Sequence, residues 1–204
     1  MQIFFTILLV ILGYLIGSIP WALIIGKVFF HKDIREYGSH NLGGTNAGRV
    51  LGTPIGIIVI VLDSMKAFLM MVLCNAVLKV AVPYVGLSVC IGHCFPIFAQ
   101  FRGGKAVACA YGYLLGLGIF VIHDVIFTFV YPLLFFLIVL GLTKYVSLSS
   151  ILSLVFETII AFITYKNIPV AIMVMLLTLF VIYRHIPNIK KIIEGKESKI
   201  SFIK

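Results

Sequence analysis

The sequence predicts an all-α polytopic membrane protein with seven transmembrane helices, its N-terminus outside and its C-terminus in the cytoplasm. Three observations predict it. Of 204 residues 62% are hydrophobic and 11% charged, with a mean hydropathy of +1.18, far from the balance of a soluble domain. Apolar runs near the ~20 residues that a helix needs to cross hydrocarbon fill most of the chain. The basic residues between those runs collect on one face once alternate loops are given to alternate sides. No segment remains for a separate soluble domain, so one integral-membrane domain over 1–204 is expected.

The first run, 3–26, has no basic residue ahead of it and no small-residue cleavage pattern after it, so a retained span is expected rather than a removed leader. Gly13 and Gly17 in that run are spaced for close helix packing. Further runs lie near 54–78, 82–101, 106–122, 125–142, 148–165 and 168–183. Residues 106–142 must be two helices, because one would run about 55 Å against a hydrocarbon core of about 30 Å. His123 and Asp124 mark the break.

Seven spans put the ends on opposite faces. One face then holds Lys27, Lys32, Arg35, Arg49, Arg102, Lys105, Lys144, Arg184, Lys190, Lys191, Lys196, Lys199 and Lys204, and the other only Lys79 and Lys166. That asymmetry puts the richer face in the cytoplasm. Most of the +9 charge therefore serves topology, with anionic membrane lipids near the basic tail as a secondary partner and no nucleic acid expected. Cys74, Cys90, Cys94 and Cys109 lie in or beside apolar runs without metal-site spacing, and read as helix-packing residues.

The expected cytoplasmic segments carry the polar motifs. Gly38-Ser39-His40-Asn41-Leu42-Gly43-Gly44-Thr45-Asn46-Ala47-Gly48-Arg49 can bend sharply and offer amides, hydroxyls and a guanidinium to an anion, although the same residue types build ordinary turns. Gly92-His93-Cys94-Phe95-Pro96-Ile97-Phe98 is a short link to Arg102-Gly103-Gly104-Lys105-Ala106-Val107. There, two glycines and a lysine ahead of a helix make a phosphate-type site. It lacks the Walker A spacing, and Arg102 fits a plain juxtamembrane role better than Lys105 does. The tail opens Arg184-His185-Ile186-Pro187-Asn188, where His185 and Asn188 share a face if the helix survives Pro187. A solvated surface tail is the competing account. Ser147 follows Lys144 at a helix start, a common N-cap position.

Inside the spans, Asp63 and Lys66 are three apart and should pair to support the helix bundle, while Glu157 has no visible partner. No His is followed by Asp five positions on, no Gly-x-Ser-x-Gly elbow occurs, and no acidic cluster suits Mg²⁺. No metal or cofactor is expected. A transporter for a phosphorylated solute is the main competing class, but no internal repeat is evident and the polar groups sit at one surface.

Taken together, segments 38–49, 92–109 and 184–197, with Tyr145-Val146-Ser147-Leu148, closely resemble the acyl-phosphate:glycerol-3-phosphate acyltransferase family (PlsY), in the family's order and over essentially the whole chain. The resemblance implies transfer of a fatty acyl group from acyl phosphate to the 1-position of glycerol 3-phosphate, the first step of phospholipid synthesis, at the inner membrane. It implies that Ser39, Thr45 and Arg49 meet glycerol 3-phosphate, with Ser147, His185 and Asn188 completing that pocket and Asn46 a further substrate-binding residue. Gly103, Gly104 and Lys105 would cradle the acyl phosphate. Ser39, Arg49, Lys105, His185 and Asn188 would form the catalytic set, and other phospholipid-synthesis enzymes are candidate partners. The chain departs from the family pattern at His40, Gly44, Ala67, Ala106 and Cys109, where Gly, Ala, Gly, Gly and Thr are usual.

Overall fold

The computed structural model describes residues 1–200; Lys204, counted above among the basic residues, lies outside them. Among the described residues six helical segments are long and apolar enough to cross a membrane. The chain divides into two compact units, Met1–Gly116 and Leu117–Lys204.

In the first unit the expected single opening span is two helices, α1 (Gln2–Gly17) and α2 (Trp21–Phe30). Pro20 lacks an N–H and cannot continue the ladder, so the chain breaks at Ser18–Pro20. Pro20 instead starts α2, its carbonyl accepting from Leu23 and Ile24. The two together form one 29-residue membrane segment. Gly13 and Gly17 serve the packing expected of them: a Cβ on Gly17 would strike the Val89 backbone of α5 (Val82–Cys94).

The glycine-rich segment expected as a loop is half helix. α3 (Gly44–Leu51) occupies its second part and turns at Gly52 (φ 103°) into the long α4 (Thr53–Val77). Ile34, Leu42, Ala47 and Val59 join Ala22 and Leu23 of α2 in one buried cluster, which fixes the segment on the bundle. Gly92–Cys94, expected in a loop, form the last turn of α5; the link proper starts at Phe95. α6 (Val107–Phe120) follows, with 14 residues. At 1.5 Å per residue that is about 21 Å, shorter than the hydrocarbon core.

The second unit begins where the break was expected. His123 is left-handed (φ 60°), and the Asp124 carboxylate accepts from the Ile126 and Phe127 amides. A π-helical turn (Ile126–Val130) leads into α7 (Tyr131–Thr143), then α8 (Val146–Thr164) and α9 (Ile168–Ile193). Phe135 stacks on Phe156 at 4.7 Å between α7 and α8. Thr158 of α8 donates to Thr178 of α9 at 2.9 Å. Glu157, buried, accepts from the Tyr165 hydroxyl, so it has the partner that the sequence did not reveal.

Apolar side chains also cover the outside. Ile3, Phe4 and Ile163 are 78%, 68% and 74% exposed, a surface suited to acyl chains rather than water.

Candidate active site

In the first unit, Asn46 organises the glycine-rich segment. Its Oδ1 accepts from the Ser39 amide at 2.8 Å, and its Nδ2 donates to the Ile34 and Tyr37 carbonyls at 3.1 and 3.2 Å. Buried and occupied by backbone on both sides, this amide shapes the segment instead of facing a ligand, which corrects its expected place among substrate contacts. Ser39 is half-buried beside it, while Thr45 and Arg49 stand one turn apart on α3. Ahead of the segment, Asp33 accepts from Arg35 at 2.6 Å and lies 3.2 Å from Lys27. The hydrogen-bonded Arg35 guanidinium holds the Asp33 carboxyl well below the usual carboxylate range, and Asp33 in turn raises Arg35.

His40 and Ala106, two of the departures from the family pattern, are both left-handed, at φ 58° and 62°. Glycine takes that conformation without strain, which explains the usual residue there. His40 is partly compensated by Nδ1 donating to the Arg35 carbonyl at 2.8 Å. Gly44 in place of Ala has a local cause: a Cβ there would overlap Ile60 Cγ1 on α4.

The Gly103-Gly104-Lys105 segment runs into α6 with both glycines buried and Lys105 half-buried; Arg102 is exposed. The Gly104 amide donates to the His93 carbonyl at 3.0 Å, so it is directed into the protein and not, as expected, at an anion. A Cβ on Gly104 would overlap His93 Nε2, and one on Gly103 the His93 carbonyl. Behind the His93 ring lie Lys66 and Asp63, paired as expected at 2.8 Å. Sequence reasoning missed His93; its signal was a histidine two residues from Phe95-Pro96 that follows an intramembrane ion pair by one helix. Asp63, His93 and Cys109 bring three potential metal donors within 4.8 Å, and the Lys66 ammonium lies against two of them, Asp63 and His93.

In the second unit α9 continues through Pro187 to Ile193, so His185 and Asn188 do share a face. His185 Nδ1 donates to the Val181 carbonyl at 2.8 Å, which fixes the ring and its tautomer. After Gly195 (φ 67°) the tail, though largely exposed, folds back: Ile200 donates to the Lys144 carbonyl at 2.9 Å. That return delivers Glu197, whose Oε1 accepts from Ser147 Oγ at 2.8 Å and from Asn188 Nδ2 at 2.7 Å. Ser147 and Asn188 are thus brought together by an acid left out of the expected site, whose signal was Gly195-Lys196-Glu197.

Helical spans that satisfy their own backbone, bearing segments rich in hydroxyl, amide and cationic groups, define a polytopic membrane protein equipped for anionic substrates. The family described as glycerol-3-phosphate acyltransferase matches residues 7–195. A protein of that name from Bacillus subtilis is 46% identical over 96% of this chain and 98% of its own, and one from Geobacillus kaustophilus 40% identical over 97% of each. A crystal structure of PlsY (YgiH), an integral membrane glycerol 3-phosphate acyltransferase in its glycerol 3-phosphate form, is similar with a TM-score of 0.88 at 30% identity over 96% of both chains. Its lysophosphatidic acid form gives 0.84 at 29% identity, over 96% of this chain and 95% of that one. The chain belongs to the glycerol-3-phosphate acyltransferase family. It is a multi-pass membrane enzyme of phospholipid synthesis.

Proposed function

We propose that the enzyme transfers a fatty acyl group from acyl phosphate to the 1-hydroxyl of glycerol 3-phosphate, at the cytoplasmic face of the inner membrane. In the first unit Ser39, Thr45 and Arg49 bind glycerol 3-phosphate, with Asn46 as the positioning residue of their segment. Gly103 and Lys105 hold the donor's phosphate, with Gly104 anchoring their segment through its amide on the His93 carbonyl. In the second unit Ser147, His185 and Asn188 act on glycerol 3-phosphate. The family match crosses both units, which favours one acyltransferase domain. Counting the short α6 with the six longer segments gives seven crossings, and the thirteen-to-two distribution of basic residues favours an outside N-terminus and an inside C-terminus.

The hydroxyl oxygen attacks the acyl carbonyl, the carbonyl–phosphate oxygen bond breaks, and inorganic phosphate leaves as lysophosphatidic acid forms. The hydroxyl proton passes to a substrate phosphate oxygen. A mixed anhydride is already activated, so positioning and charge stabilisation supply the catalysis, Lys105 at the carbonyl or leaving phosphate and Arg49 at the acceptor.

The observation that carries this function is the lysine-bearing Gly103-Gly104-Lys105 segment at the start of α6, within a chain matched to the family over residues 7–195. The test is purified enzyme with acyl phosphate and glycerol 3-phosphate, following phosphate release and lysophosphatidic acid. Lys105→Ala should lower kcat/KM at least ~100-fold; full activity in that variant would refute the assignment.

A further inference from the structure

Asp63 and Lys66 of α4 and His93 of α5 form a buried polar column, 1%, 6% and 6% exposed, that the transfer chemistry above does not use. The Lys66 ammonium is ion-paired with Asp63 Oδ1 at 2.8 Å and lies within hydrogen-bond distance of His93 Nδ1 at 3.0 Å and the Ile19 carbonyl at 3.1 Å. Ile19 stands in the break between α1 and α2, ahead of Pro20, where its carbonyl is not committed to a helix ladder. Asp63 Oδ1 is also 3.4 Å from His93 Nδ1, but the ammonium lies closer to both and can only donate. Nδ1 is therefore an acceptor and the ring proton sits on Nε2.

That nitrogen is the edge of the ring against Gly104, where a Cβ would overlap it. The same residue's carbonyl accepts the Gly104 amide at 3.0 Å. His93 thus touches the segment ahead of Lys105 through both its backbone and its ring. Its ring is fixed from behind by a charge that Asp63 neutralises. A structural histidine filling space would need neither the ammonium set against its Nδ1 nor the glycine cut to fit its far nitrogen.

We propose that His93 is a positioning residue for the acyl donor: held by Lys66 and Asp63 in the Nε2–H tautomer, it props the Gly103–Gly104 backbone and sets Lys105 for the donor's phosphate. This rests on the donor assignment made above.

Two side chains separate the ring's edges. Asn at 93 puts a carbonyl where Nδ1 was and satisfies Lys66 but does not reach Gly104. Gln reaches Gly104 with an amide N–H. Steady-state kinetics of His93→Asn should show kcat/KM for acyl phosphate down about tenfold with KM for glycerol 3-phosphate unchanged, and His93→Gln should recover to within about threefold of wild type. Equal losses in both variants, or a fall shared by both substrates, would indicate mere packing and overturn the proposal. Nitrogen-15 NMR of histidine-labelled wild-type enzyme supplies a readout independent of variant folding. A His93 ring protonated at Nε2 alone supports the proposal, and protonation at Nδ1 or at both nitrogens overturns it. Wild-type enzyme that makes no lysophosphatidic acid from acyl phosphate would defeat the donor assignment instead, a result recognisable before any variant is made.

Discussion

Ala106 shows how one side chain can strain a binding segment. At φ 62° an L-residue with a Cβ sits in a region that costs roughly 1 kcal/mol relative to glycine. Ala106→Gly should therefore raise thermal stability by about 0.4–1 kcal/mol despite the added entropy of the unfolded chain, seen as a higher midpoint in detergent; a lower midpoint would show that the strain is absent. The sequence exposed this position as a departure from a pattern, but not its reason, because φ is invisible in a residue list. Asn46 illustrates the converse. Its type suited substrate binding, yet three backbone groups claim its amide, and only the folded segment reveals that.

At the scale of elements, the ion pair ahead of α3 and the returning tail after α9 both make measurable claims. Asp33 is held below its ordinary 3.8 by Arg35, so its contribution to stability is full above that pH and declines as acidification carries the protein down toward the lowered value. Asp33→Asn should lower the melting temperature at pH 7, and the gap to wild type should narrow only below pH ~4; a gap that closed at higher pH would contradict the assignment. For the tail, Glu197→Gln replaces a charged acceptor of two hydrogen bonds with a neutral one. A loss of roughly 1–2 kcal/mol in stability and a raised KM for glycerol 3-phosphate are expected, and unchanged melting and kinetics would dismiss the clamp. Helix existence was legible from apolar runs of the right length. The α3 turn inside a glycine-rich stretch and the tail's return were not, because each depends on tertiary partners: the buried Ile34 cluster and Lys144.

For the whole molecule, hydropathy and charge located the membrane segments, since lipid tolerates few alternatives to apolar helices. What they left open is the status of α6, too short by length alone to count as a span. Single cysteines replacing Lys79 and Lys190 test the orientation, because the four native cysteines are buried. A membrane-impermeant maleimide should label the first on intact cells and the second only after lysis; the reverse pattern would invert the proposed topology. The hydrogen bond between Ile200 and Lys144 also bears on how the enzyme is best handled. An affinity handle fused after Lys204 would be attached within a few residues of the strap that carries Glu197 to Ser147 and Asn188. A handle ahead of Met1 leaves that strap untouched, so purification from the front of the chain is the gentler choice.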